Sequence, residues 1–332
     1  MTVRHTTRLL RELLRPNTSW SLDELRSATS LTPAQLLASL DSLRAAGCII
    51  DQRGPDRISL AVTGLAGWSD YLGDMLTEAD WPTPGPHIEI YRRTASTQDA
   101  LRRLIHATPA DTARHAVALA DAQDAGRGRP GRSWVSEPGE ALLMSVAWPL
   151  PDNDPVEAMP TRACLAIAEV VRVLPVRGRV AIAWPNDVLI DQRKLAGVLV
   201  ERTTDKLNRP WAIAGMGVNV HAHPEISPAS RADQTLRRPV ALADAGIRID
   251  RLHLAHLILD RLVVLALCSK QELAVRWRNL AADLGKTITL RTDSRNITGE
   301  VVDLDLTEGL ILRDSLGQHH ALHAAQTTRA LD

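Results

Sequence analysis

The sequence lacks phenylalanine altogether, and eight Trp with two Tyr supply every aromatic ring. Lysine is nearly as scarce, confined to Lys194, Lys206, Lys270 and Lys286, so arginine carries almost all positive charge. A lysine inside a tight motif is therefore a candidate for chemistry of its own. The three cysteines, Cys48, Cys164 and Cys268, are odd in number and far apart, which excludes a disulfide scaffold and argues against a metal site. Buried thiols in a reducing cytoplasm are expected. No run of eighteen apolar residues occurs, so no transmembrane helix is expected. Met1–Arg15 alternates Arg with Leu and has no apolar core of the kind a secretory signal needs. Basic and acidic residues balance at 39 each, which excludes a chain that binds nucleic acid by bulk charge. What is present is ordinary for a globular protein: 45% apolar and 23% charged over 332 residues, enough for two or three domains.

The first sixty residues read as three helices and a hairpin. Leu9, Leu10, Leu13 and Leu14 recur at helical spacing. Ser21–Glu24 and Thr32–Gln35 have capping-box form, the second with Pro33 at the first helical position. Two apolar runs flank Arg53-Gly54-Pro55-Asp56, completing a winged helix-turn-helix pattern. Gly64, Gly67 and the run Pro82-Thr83-Pro84-Gly85-Pro86 mark a connector with one short helical piece near Tyr71–Leu76. Strands and helices then interleave to about Asp283, with tight turns such as Asp191-Gln192-Arg193, predicting an antiparallel or mixed sheet and an α+β class. The last fifty residues read as short strands, the pattern of a small β-barrel. The boundaries that follow are 1–65, a linker 66–86, 87–283 and 284–332.

Gly126-Arg127-Gly128-Arg129-Pro130-Gly131-Arg132 matches G-x-G-x-x-G in letters only. Pro138 and Gly139 follow where a dinucleotide fold needs a helix, so a flexible loop remains, its glycines allowing close approach and its arginines suited to phosphate or carboxylate. Trp184-Pro185-Asn186-Asp187 precedes Arg193-Lys194-Leu195-Ala196-Gly197-Val198-Leu199-Val200-Glu201, in which Lys194 opens an apolar strand and calls for an anionic partner. Gly215-Met216-Gly217-Val218-Asn219 places glycines in a strand, where something comes close to the backbone.

The order Ser96-Thr97, Gln123 before the arginine loop, Trp134, WPND, RKLAGVLVE and G-x-G-x-N resembles biotin protein ligases from about Tyr91 to Val220. With the N-terminal pattern, it resembles the bifunctional bacterial form that also represses transcription. The resemblance implies a central mixed-sheet biotin/lipoate-ligase-like domain of class II synthetase type and a C-terminal SH3-like barrel. It also implies a reaction in which ATP, with Mg²⁺, and biotin give biotinyl-5′-AMP and pyrophosphate, after which a lysine of the biotin carboxyl carrier protein displaces AMP. By the same resemblance Ser96, Thr97, Gln98 and Gln123 line the biotin site, and Arg127, Gly128 and Arg129 close over biotin and phosphate. Lys194 meets the activated carbonyl, Trp134 forms an apolar wall, and Arg129, Arg132, Asn186, Lys194 and Asn219 serve the nucleotide. Lys194, Arg129 and Arg127 are the expected catalytic cations. No metal ligand among the side chains is implied.

Two positions depart from the family pattern. Gln98 stands where Asn is usual, and Asp124 stands where Thr is common, adding negative charge beside an anion-binding loop unless Arg127 or Arg132 offsets it. The family often dimerises through the catalytic sheet edge, so a homodimer is a partner by resemblance. Operator DNA is a partner by resemblance, yet Pro33–Arg44 holds no cation before Arg44, and major-groove reading favours Arg, Lys, Asn or Gln. Two other readings stand beside the ligase: a biotin- or adenylate-sensing regulator with weakened ligase activity, and a lipoate-type ligase.

Overall fold

The computed structural model describes residues 2–15, 19–52, 57–78, 81, 86–129, 132–150, 158–225, 237–292, 295–324 and 327–329. The turns expected at Arg53–Asp56 and Pro82–Gly85, and the loop residues Pro130 and Gly131, lie outside them.

Helices α1 (Thr2–Leu13), α2 (Leu22–Thr29) and α3 (Pro33–Ala45) pack beside a three-stranded antiparallel sheet of β1 (Trp20–Ser21), β3 (Arg57–Val62) and β2 (Ile49–Gln52). Both expected capping boxes form. The Ser21 hydroxyl accepts from the Glu24 amide at 3.1 Å while Glu24 accepts from the Ser21 amide at 2.7 Å, and Thr32 with Gln35 repeats the exchange. Each box satisfies two amides that an open helix end would leave bare.

The segment assigned to a linker carries α4 (Trp68–Glu78), whose Trp68, Tyr71, Leu72, Met75 and Leu76 are buried. It is a core element between α1, the edge strand β4 (Ile88–Tyr91) and α8 (Arg251–Ala266). Polar contacts fix the joint. Asp250 caps α8 through the Leu252 amide and also accepts from the hydroxyl and amide of Thr63, while the Trp68 indole N–H donates to the Thr63 hydroxyl at 3.1 Å. The Arg251 guanidinium lies 5.4 Å from the Trp68 ring and bonds Asp121 at 2.7 Å.

The central sheet runs β4, β5 (Val117–Ala120), β6 (Ala141–Pro149), β10 (Pro210–Asn219), β9 (Arg193–Thr204), β8 (Asp187–Ile190) and β7 (Val180–Ala183). Only β4 and β5 pair in parallel, so the sheet is mixed, as expected. Asp191 and Gln192 both take positive φ (46° and 64°), the two-residue turn geometry that joins β8 to β9. Helix α7 (Ala158–Val173), buried along most of its length, and α8 cover one face; α5 (Thr97–Ala107) covers the other. The short α6 (Ala110–Ala113) and β1 had no sequence signal.

Helix α9 (Lys270–Leu280) leads to a five-stranded antiparallel sheet of order β14 (His319–Leu322), β13 (Gly309–Arg313), β12 (Asn296–Asp305), β11 (Thr287–Thr292), β15 (Thr327–Arg329). Arg278 of α9 grips both oxygens of Asp303 at 2.7 Å, tying this sheet to the helical layer. Among the described residues no helix is long and apolar enough to cross a membrane.

Candidate functional site

The register of the central sheet places Asp187 opposite Gly197, and Gly197 opposite Gly217, in one row across β8, β9 and β10. The absence of side chains at the two glycines makes a flat patch. The indole of Trp134 lies on it: a Cβ at Gly217 would meet Trp134 at 2.4 Å and one at Gly197 at 3.1 Å. Gly215, two residues from Gly217 on the same face, is covered instead by Gln98, whose Cδ would be 2.8 Å from a Cβ there. The strand glycines thus mark close approach as expected, and the structure supplies the two covers.

At the edge of the patch Lys194 Nζ lies 2.7 Å from Asp187 Oδ1 and 5.8 Å from the Trp134 ring centroid. The anion that the sequence demanded for Lys194 is Asp187. The pair is only partly screened by water, with side-chain exposures of 29% and 21%. The main chain of Lys194 is gripped as well: its amide donates to Arg238 and its carbonyl accepts from Val240.

Opposite stands the first turn of α5. The Ser96 hydroxyl caps the helix through the Gln98 amide. The Thr97 amide and hydroxyl both donate to Gln123 Oε1, at 2.8 and 3.1 Å, and Thr97 Oγ1 sits 2.7 Å from Ser145 Oγ in the sheet. This fixes the orientation of the Gln123 amide and leaves its nitrogen beside Gly126. Ser145, fully buried, was not foreseen.

The arginine loop folds back on itself. Trp134 N–H donates to Gly126, Gly128 N–H to Arg132, and Arg132 N–H to Arg129. The expected flexible loop is therefore a hydrogen-bonded hairpin at its neck. Its arginines differ. Arg127 is engaged by Asp99 and Glu201, which raise its pKa and commit its charge. Arg129 donates to the Ala324 carbonyl at 2.7 Å, just past β14. Burial lowers its pKa, the neighbouring Arg132 acts the same way, and Asp187 acts against both. A cation held in this state is stabilised by an arriving anion. Arg132 is exposed.

Five of the residues singled out in the sequence have partners within the chain. Gln98 was expected to offer its amide to biotin, but its nitrogen donates to the carbonyls of Leu199 and Ile213 at 3.2 and 3.3 Å, inside the fold. Asn186 and Asn219 were expected at the nucleotide. Asn186 Nδ2 is on the Val198 carbonyl at 2.6 Å, and Asn219 Nδ2 on that of Val240 at 3.1 Å, so these donors fasten the backbone around Lys194. Buried Asn219 Oδ1 has no hydrogen-bond partner among the described residues. Asp124 is paired with Arg93 at 2.6 Å, so neither Arg127 nor Arg132 is needed to offset it. Arg127, expected as a ligand cation, is neutralised by carboxylates. Asp187 and Glu201 sit inside the quoted motifs and Asp99 just past Gln98; Lys194 lies close to Asp187 in sequence, but Arg127 is 28 residues from Asp99 and 74 from Glu201.

A model of the biotin/lipoate A/B protein ligase family matches residues 90–219, a span that includes Ser96, Gln123, Arg129, Asp187 and Lys194. The chain is 32% identical over 202 residues to the bifunctional ligase/repressor BirA of Escherichia coli, covering 58% of this chain and 60% of that one. It is 32% identical over 210 residues to the biotin–[acetyl-CoA-carboxylase] ligase of Mycobacterium tuberculosis, covering 59% of this chain and 68% of that one. The chain thus spans about 60% of the length of the bifunctional relatives from Escherichia coli and Salmonella typhimurium. The biotin protein ligase of Aquifex aeolicus in complex with biotin and ATP shares the fold, with a TM-score of 0.59 at 24% identity over 74% of this chain and 99% of that one. With these likenesses centred on the sheet that carries the site, the chain belongs to the biotin/lipoate A/B protein ligase family.

Proposed function

We propose that this protein is an ATP-dependent biotin protein ligase that forms biotinyl-5′-AMP and passes biotin to a lysine of the biotin carboxyl carrier protein. The observation that carries this reading is the Lys194–Asp187 pair held beside Trp134 on the Gly197–Gly217 patch, facing the first turn of α5. The first half-reaction must bring a carboxylate to a triphosphate. Lys194 and Arg129 offset the repulsion, in surroundings where fixed cations act more strongly than in water. Exposed Arg132 stands at the mouth for the phosphates, and Mg²⁺ enters with ATP as part of the nucleotide substrate. The polar end of the pocket, Ser96, Thr97 and Gln123, takes the ureido ring, with Gln123 free to donate. Trp134 walls the apolar side. In the second half-reaction the carrier amine attacks the carbonyl, AMP leaves with the C–O electron pair, and the amine gives up its proton. The loop keeps water from the mixed anhydride meanwhile.

The same reading assigns a winged helix to 1–65, the catalytic domain to 87–283 and an SH3-like barrel to 284–332, with α4 packed in the joint, and places the protein in the cytoplasm. Biotin-responsive repression at an operator has less behind it. Helix α3 exposes Ala34, Leu37 and Ala38, and its one cation, Arg44, pairs with Asp41 at 3.1 Å. A sensing regulator with weakened ligase activity is disfavoured by the arrangement of Lys194 and Arg129. The deciding experiment is ATP–pyrophosphate exchange with purified protein, with biotin and lipoate as alternative acids. Exchange with biotin alone is expected; exchange with lipoate alone, or with neither, overturns the reading.

A further inference from the structure

At the neck of the arginine loop, four charged side chains close into a ring. Arg127 gives Nη1 and Nη2 to the two oxygens of Asp99, both at 2.9 Å, and Nε and Nη2 to the two oxygens of Glu201, both at 3.0 Å. Arg102 completes the ring with 2.7 Å bonds to Asp99 and Glu201. Two cations meet two carboxylates, and Arg127 spends its whole fork on both of them, whereas Lys194 meets Asp187 alone and can turn its ammonium to a ligand.

Position gives Arg127 another task. It stands at the neck of the loop, next to Gly126 and bridged to Ser133, while Asp99 belongs to the first turn of α5 and Glu201 to β9. A guanidinium forked onto two carboxylates from two elements can neither rotate nor withdraw. Whatever fixes the neck fixes the direction in which the loop presents Arg129 two residues on.

We propose that Asp99 and Glu201 are positioning residues of the ligase reaction, clamping Arg127 so that the loop holds Arg129 toward Lys194 and retains the adenylate. The proposal rests on the ligase reading above. It assigns Arg127 to the loop's anchorage and leaves the ligand's charge to Arg129, Arg132 and Lys194.

The test uses the full chain with Asp99→Asn, Glu201→Gln and the double variant. The readouts are KM and kcat for biotin-dependent exchange and labelling of serum albumin by escaped adenylate. Loss of a charge-assisted bond predicts a biotin KM raised about tenfold in each single variant, a smaller change in kcat, and several-fold more albumin labelling per adenylate formed. Glu201→Asp recovers much of the loss. Arg102→Gln, which leaves Arg127 with both carboxylates, retains adenylate as the unaltered chain does. Unchanged KM and labelling in the double variant overturn the proposal, as does an equal leak from Arg102→Gln, which would make the ring a general staple. Should Asp99→Asn fail to fold, Glu201→Gln with its Asp rescue decides alone. If the unaltered chain exchanges nothing, the ligase reading has failed, and tryptic cleavage after Arg132 judges the clamp. Faster cutting in Glu201→Gln then supports it, and equal cutting refutes it.

Discussion

Two arginines on the N-terminal helices and two in the Gly126–Arg132 loop are partnered in opposite ways. In the first, Arg26 pairs with Asp23 and Arg44 with Asp41, each three residues away on its own helix and open to water. In the second, Arg127 reaches 28 residues back to Asp99 and 74 forward to Glu201, and Arg129 reaches 195 forward to Ala324. A local pair solvates a helix face and contributes about 0.2–1 kcal/mol. A pair between distant elements fixes where those elements stand. Similar residues therefore smooth one surface and shape the other.

The contrast can be pushed hardest at the site. Lys194→Gln removes the cation beside Asp187 and should lower the rate of biotin-dependent exchange by roughly 10²–10³-fold, the usual loss for one preorganised charge stabiliser. Steady-state kinetics would show it, and a loss under tenfold would remove Lys194 from the chemistry. Gly217→Ala comes next. Its methyl group must displace the Trp134 indole, an overpacking cost of about 1–3 kcal/mol that should appear as weaker biotin binding by calorimetry.

How far the sequence revealed these arrangements depends on the range of the signal. Caps, helix periodicity and the Asp191-Gln192 turn are local, and they form where the residues indicate. Helix α4 was equally local, since Trp68, Tyr71, Leu72, Met75 and Leu76 follow helical spacing, but flanking Gly and Pro drew the reading toward a linker. The quoted motifs converge on one face of the central sheet, although several of their partners are remote in sequence. They could not show that Gln98 faces two backbone carbonyls or that Arg127 is neutralised, because nothing between positions 99 and 201 encodes that meeting.

Two smaller effects test the joint and its surroundings. Thr63→Val strips the Asp250 carboxylate of two hydroxyl contacts and the Trp68 indole of its acceptor, and should lower unfolding stability by about 1–3 kcal/mol in denaturant titration. His115, buried against Trp81 and Trp148, has its pKa lowered to about 4, chiefly by burial. Protons bind the unfolded chain first, so stability is full above the ordinary histidine value of ~6.5. It should fall as pH drops toward 4, by up to about 1.4 kcal/mol per unit. His115→Gln should flatten that slope. The smallest response is expected where pairing is local: Arg44→Ala should shift stability by no more than about 0.5 kcal/mol and leave exchange kinetics unchanged.

The indole of Trp134 rests on bare backbone with an ammonium at its face. That arrangement is also an optical one. A cation over an indole perturbs its excited state, and the glycines beneath contribute no side chain to mask the change. When an anion draws Lys194 toward itself, the emission of this one tryptophan should alter before any bond is made. Occupancy of the site would then be readable by light in the unmodified chain.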